Sequence, residues 1–319
     1  MSTILEMLER LRAQRRRSLR ALGGLNDEQL TTHVGPERPA NVRHTLLSLA
    51  QDDDRRRCTV GTILTSLGWT PSDASRILQS LALTRGYLRA ILVGVTDELL
   101  DQQPASEEWA VRQALQHVMN NERRFVADAG YAVERLRSAD PLPMEPPGEP
   151  PGPGALGLPV PGGLQDVLAE LERVRDGVIT CAAGFGPEEL AAPMVWAGSA
   201  VNVGFMLHRR ATHEREHTVQ IAKILRAIGC RQSEVQMILG QAEIARAALE
   251  GAALGFPDEL ADGGPSDGLP SLARLLADAG AEEESKTAAI LRAVGRRASG
   301  GLPEGTPRGG SRLEAWAEK

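Results

Sequence analysis

Apolar residues recur every three to four positions through several long segments, with polar and charged residues filling the opposite faces. That period predicts amphipathic helices. Four related passages interrupt it: ALGGLNDEQL (Ala21 to Leu30), ILVGVTDELL (Ile91 to Leu100), CAAGFGPEEL (Cys181 to Leu190) and AALGFPDEL (Ala252 to Leu260). In each, a helix ends near a glycine, and an apolar residue followed by a cap-forming pair starts a short new turn. A second long periodic segment follows, beginning near Asn41, Glu108, Ala200 and Pro270. The predicted unit is a helical hairpin, present four times at roughly 3–66, 74–136, 163–228 and 236–295, which gives eight main helices.

The connectors between hairpins are unequal. Leu67 to Asp73 and Gly229 to Glu234 are short, whereas Ser138 to Gly163 is dense in Pro and Gly and has no helical period. A four-helix bundle with one long crossover carries such a segment between its second and third helices. On that reading the second and third hairpins form one bundle. The competing reading pairs the first hairpin with the second and the third with the fourth, as two tandem bundles joined by a Pro-rich linker. Beyond Gly295 the chain turns rich in Gly, Ser, Pro and charge, and a disordered tail is expected.

Composition narrows the class. Aromatics are 3%, and Ala, Leu and Arg dominate the long segments, so the residues that strands need are scarce and an all-α fold follows. The 319 residues hold 36 Lys plus Arg against 42 Asp plus Glu, a net charge of -6. This balance argues against nucleic acid as a partner. The one dense basic cluster, Arg12 to Arg20, sits within a helical pattern and reads as a solvated face. No apolar run is long enough to span a membrane, and Glu6, Glu9 and the arginines that follow exclude a signal-peptide core, so a cytoplasmic location is expected. Cys58, Cys181 and Cys230 lack the spacing of a disulfide framework or a zinc site and read as small buried hydrophobes.

Three of six histidines, His208, His213 and His217, crowd into the segment Leu207 to Leu225. His213 and His217 lie one helical turn apart on a single face, a spacing at which two imidazoles bind one divalent cation. His208 lies off that stripe. The letters HEREH also fit the zinc-peptidase pattern, with Glu214 as general base and Glu234 or Glu243 as a third ligand. Such enzymes hold substrate against an edge strand, and none is evident. His117, at the border of the inward face of the Glu107 to Phe125 segment, is the alternative third ligand if the two central hairpins pair. Three nitrogen ligands with an open position are the pattern of a catalytic metal site.

The combination W-x-V-R-x-x-L-x-H-V-x-x-x-E (Trp109 to Glu122), then H-x-x-x-H-T-x-Q-I (His213 to Ile221) and a helix ending K-I-L-R-A-I-G, resembles the DinB superfamily. This family includes YfiT-like hydrolases, thiol-dependent S-transferases and mycothiol-dependent maleylpyruvate isomerases. The resemblance covers Ser72 to Gly229. It implies an up-down-down-up bundle with a long crossover, and His117, His213 and His217 as the ligands of zinc, nickel or iron. A low-molecular-weight thiol is the implied cosubstrate. The expected division is an N-terminal hairpin at 1–70, a DinB-like metal-binding bundle at 71–230 with its crossover at 138–163, a C-terminal hairpin at 231–295 and a tail at 296–319. In the outer hairpins Ser48 aligns with His117, with His44 one turn earlier, or Asp278 does, and neither has an H-x-x-x-H pair. They read as degenerate copies.

Weaker candidates surround the triad. Gln220, three residues after His217, can bond a ligand imidazole. Arg209 and Arg210 can hold an anionic substrate, and Trp109 and Trp196 can line a pocket mouth. Glu122 reads as a helix-face charge. The expectation is a metal-dependent thiol S-transferase or hydrolase acting on a small molecule, with Glu214 as proton carrier and a homodimer left open. The alternatives are a non-catalytic ligand-binding or stress-related module and, behind it, a zinc peptidase.

Overall fold

The computed structural model describes residues 3–35, 40–146, 160–263 and 268–298. Capping residues start most of the helices. Thr3 accepts the Glu6 N–H at the head of α1 (Ile4–Leu22), and Asn41 accepts the His44 N–H at the head of α2 (Val42–Ser66). Ser72 does the same for Ser75 at α3 (Asp73–Leu92), which is followed by α4 (Val111–Arg137) and α5 (Leu164–Ala182). After the short α6 (Pro187–Ala191), Asn202 caps α7 (Val203–Ala227), Ser233 caps α8 (Glu234–Ala253), and α9 (Leu272–Ala298) ends the described chain. Each cap supplies an acceptor to a backbone N–H that the first turn leaves unpaired. The tail expected at 296–319 starts within α9, which continues to Ala298; the rest of it, from 299 onward, and the middle of the crossover, 147–159, lie outside the described residues.

The four related passages fold alike. Each makes a short helical turn, at Asp27–Thr31, Asp97–Leu99, Pro187–Ala191 and Asp258–Leu260. The returning helix is then tied back to the residue just past that turn. Val42 N–H donates to Thr32 (2.9 Å), Arg112 to Leu100 (2.9 Å), Val203 to Ala192 (3.0 Å) and Ala273 to Ala261 (3.0 Å). In the third hairpin a two-stranded ribbon intervenes, β1 (Pro193–Trp196) against β2 (Ser199–Asn202), with Met194 opposite Val201. Its two turn residues, Ala197 (φ 50°) and Gly198 (φ 76°), are both left-handed, as the tightest hairpin turn requires. The sequence shows no strand signal there because the strands are only four residues long.

Hairpins pack two by two. α3 lies along α7, and α4 lies along both α5 and α7. In the outer set α1 lies along α9, and α2 lies along both α8 and α9. The contact pattern is therefore the same in both, with α1, α2, α8 and α9 standing for α3, α4, α5 and α7. The central bundle occupies the place of a crossover in the outer one. Arg112 donates to the carbonyls of Val160 (2.8 Å) and Gly162 (2.9 Å), and Arg123 meets Glu170 further along. α4 and α5 thus run in the same direction, which is what demands the long connection between them.

Each bundle has two apolar layers separated by a buried ionic layer. In the central bundle, Leu81, Phe125, Val178 and Leu207 belong to one layer and Leu88, Leu115, Leu171 and Ile221 to the other. Between them lie Arg85, Glu122, Arg175 and Glu214, one from each helix and all at most 2% exposed. Leu8 and Leu275, and Leu46 and Leu239, represent the layers of the outer bundle. There the ionic residues are Arg15, Asp53, Arg246 and Glu283. Even the backbone acceptor corresponds: Arg175 Nη1 donates to the Leu81 carbonyl (2.6 Å) and Arg246 Nη1 to that of Leu11 (3.4 Å).

The bundles join through α3 and α8, where small residues let the backbones approach. A Cβ on Gly86 would stand 2.4 Å from the Ala247 Cβ. Two sequence expectations fail because partners remote in sequence bury the charge. Arg12 and Arg15, read as part of a solvated face, are 4% and 3% exposed: Arg12 meets Asp176 of the central bundle, and Arg15 sits in the ionic layer of the outer one. Glu122, read as a surface charge, sits in the ionic layer. The cysteines also differ from expectation: Cys58 is exposed, and Cys181 and Cys230 are half-buried. Among the described residues no helix is long and apolar enough to cross a membrane.

Candidate metal centre

The central pairing brings α4 against α7 and carries His117 to the two histidines of α7. His213 Nε2 lies 3.1 Å from both His117 Nε2 and His217 Nε2. All three rings are half-buried. Ligand nitrogens held about 2.0–2.1 Å from a tetrahedral ion are separated by roughly 3.3 Å, so the spacing fits a common cation. His217 Nδ1 lies 2.7 Å from Gln220 Oε1. Because that oxygen can only accept, the Nδ1 carries the proton and the Nε2 lone pair is left facing the other two rings.

Burial depresses the basicity of His213 to a pKa of about 3, helped by His217 and Arg210, and lowers that of His117 by the same causes. Both are neutral at pH 7, the state a metal ligand needs. Trp109, in the loop before α4, covers the cluster. Its ring is stacked on His217 at 6.1 Å and tilted against His117 at 5.2 Å.

The remaining candidates divide. Arg209 lies one turn before His213 and is held by Glu216 at 2.8 Å. Arg210 is the buried arginine of the pair. It donates to the carbonyls of Asn121 (3.0 Å) and Met206 (3.2 Å), and burial away from any direct carboxylate partner brings its pKa down to about 10. Asn121 is a residue that sequence reasoning missed. Its Nδ2 stands 3.1 Å from His117 Nε2, and the signal available was its position one turn after His117 on the same face. Trp196 is exposed and lies against Phe205, with ring centroids 6.4 Å apart.

Glu214 is not at the cluster. One carboxylate oxygen accepts from Arg85 Nε (2.5 Å), and the other from Arg175 Nη2 (2.5 Å) and Thr84 Oγ1 (3.1 Å). Burial would raise its pKa, but Arg175 and Arg85 outweigh burial and hold it ionised. Only 1% exposed and engaged by two guanidinium groups and Thr84, this carboxylate lies in the ionic layer and away from the triad, which argues against the expected proton carrier. It also removes the general base from the peptidase reading. That reading's third ligands fare no better: Glu234 pairs with Arg43 (2.7 Å) and Glu243 with Arg89 (2.9 Å), both on α8 of the outer bundle.

Residues 80–221 match the DinB superfamily. The central bundle is thus a DinB-type bundle, of a superfamily that generally binds metal, and its histidine triad can hold one. No curated protein and no solved structure matches the chain.

The outer bundle differs at the equivalent places. Taking Asp53 for Glu122 and Glu283 for Glu214, the positions of His117, His213 and His217 are Ser48, Glu282 and Lys286. Lys286 forms an ion pair with Asp52 and lies 3.0 Å from Glu282, and Glu282 also pairs with Arg56. An ammonium group stands where the central bundle gathers three imidazoles. Asp278, the alternative match, lies on the surface beside Arg274 (3.7 Å).

Proposed function

We propose that the protein is a metal-dependent enzyme that acts on a small molecule, with His117, His213 and His217 as ligands. The observation that carries this reading is the convergence of three imidazole nitrogens from two helices, with Trp109 limiting water on one side. A divalent ion bound there would supply Lewis acidity, lowering the pKa of a thiol or of water so that its anion forms near neutral pH. Thiol S-transfer to an electrophile is the activity favoured, and hydrolysis is next. Gln220 fixes the tautomer of His217, Trp109 shields the reacting group, and Asn121 and Arg210 offer donors to an anionic substrate. Zinc, nickel and iron suit an all-imidazole site comparably well.

The outer bundle belongs to this reading as a second copy of the same fold that stays metal-free. Its support is the shared contact pattern, the shared ionic quartet and the four equivalent backbone ties.

The test is metal content by plasma mass spectrometry for wild type and His213→Ala, followed by turnover of an electrophile with assorted thiols. One divalent ion per chain, lost in His213→Ala together with turnover, is the expected result. Wild-type protein that retains no metal after purification and takes up none on dialysis would overturn it.

A further inference from the structure

Between the two bundles, α1, α3, α5 and α8 enclose a cavity of about 140 Å³ that nothing in the proposed chemistry uses. Its sides are apolar, with Leu92, Leu164, Leu168 and Leu239 among them. Its deep end is charged and buried, and it includes Arg15 together with Glu172, Glu243 and Glu250. Arg16 and Arg20 line it as well, half-buried and exposed respectively. The lining therefore combines apolar leucines with guanidinium groups, buried at Arg15 and reaching solvent at Arg20.

Arg15 decides what the cavity suits. Its Nη2 donates to Asp53 (2.9 Å) and its Nε faces Glu283 (3.1 Å), but its Nη1 is buried without a hydrogen-bond partner. Buried donors are rarely left so. Arg12 and Arg89 are already paired with Glu172, Glu243 and Glu250, so the cationic charge left unmatched along the lining is that of Arg16 and Arg20. Arg16 and Arg20 form no ion pair among the described residues. A ligand with one negative charge satisfies this arrangement. A dianion would meet Glu172, Glu243 and Glu250, and a cation would meet the unmatched charges of Arg16 and Arg20. Size sets the rest, since a dry cavity of about 150 Å³ admits a molecule such as benzene.

We propose that this inter-bundle cavity binds a small monocarboxylate whose apolar body is about the size of a benzene ring. The site lies apart from the histidine triad and does not depend on metal. Benzoate is the probe, with benzylamine and benzyl alcohol as its cationic and neutral counterparts. Calorimetric titration of the full chain is expected to give one saturable benzoate site, with benzylamine inert and benzyl alcohol at least about tenfold weaker. Leu168→Trp, which places an indole in the cavity, should weaken benzoate at least about tenfold, with folding checked by thermal melting. Arg16→Gln with Arg20→Gln leaves the buried ionic groups intact and should also weaken it severalfold. The proposal fails if benzoate gives no saturable heat at millimolar concentration, or if benzylamine binds as well as benzoate. It fails equally if Leu168→Trp binds benzoate unchanged, which would put the anion elsewhere, the triad included.

Discussion

Glu214→Ala separates two roles that the letters HEREH leave together. The side chain is 1% exposed and accepts hydrogen bonds from Arg85, Arg175 and Thr84 at 2.5–3.1 Å. Its removal leaves two buried guanidinium groups to share Glu122 alone. Breaking a buried ion pair by deleting one partner costs about 3–5 kcal/mol, because the surviving charge stays desolvated. For a bundle of this size that corresponds to a fall in Tm of roughly 6–20 °C. The control is Glu216→Ala on the same helix. Glu216 is 53% exposed and pairs only with Arg209, so its loss should cost under about 1 kcal/mol. The assay is guanidinium denaturation followed by far-ultraviolet circular dichroism, with metal content measured on the folded fraction. The expected pattern is a large loss of stability and an unchanged metal ratio. If Glu214→Ala melts within about 1 kcal/mol of wild type and turnover alone disappears, the carboxylate is a proton carrier and the ionic-layer reasoning is wrong.

Two further outcomes follow from particular contacts. Gln220→Leu removes the acceptor that fixes His217 and should weaken metal affinity about 10–100-fold without altering the fold, as read by competition with a chromogenic chelator. Glu243 behaves in the opposite sense to Glu214. Burial raises its pKa, Arg89 and Arg15 only partly oppose this, and one of its oxygens is unpaired. A carboxyl raised in the folded state destabilises the fold as pH climbs above its unfolded value, so Glu243→Gln should gain Tm relative to wild type at pH 8 and gain less at pH 4; an equal shift at both pH values would refute the assignment.

Much of the architecture is legible in the sequence because helical period, caps and short connectors are local signals. The turns at Asp27, Asp97, Pro187 and Asp258 recur with nearly the same letters. The triad is legible too, since a His pair one turn apart is a spacing that chemistry uses. The ionic layers are not. An arginine at position 15 of an Arg-rich helix looks solvated until α8 and α9 close over it, and Glu122 looks like any helix-surface glutamate until Arg85 and Arg175 arrive from other hairpins. Burial of a charge depends on partners remote in sequence, and a periodicity argument has no access to them. Position 214 failed for the same reason: the motif supplies the letter, while the neighbours supply its task.

The two bundles also allow the proposed second copy to be tested by grafting. If the outer bundle matches the central one, position for position, then Ser48, Glu282 and Lys286 occupy the places from which His117, His213 and His217 converge. The ionic quartets below them correspond helix by helix, with Arg15 for Arg85, Asp53 for Glu122, Arg246 for Arg175 and Glu283 for Glu214. Lys286, held by Asp52 and Glu282, neutralises the outer position without a metal, so removing it also removes the charge that would repel one. The triple substitution Ser48→His, Glu282→His, Lys286→His should therefore create a second site, and bound metal should double from one ion per chain to two. With His213→Ala added, the count should return to one, now held by the outer bundle. A graft that folds but binds no additional ion would mean that the helices agree in order and polarity but not in the finer register on which three converging lone pairs depend.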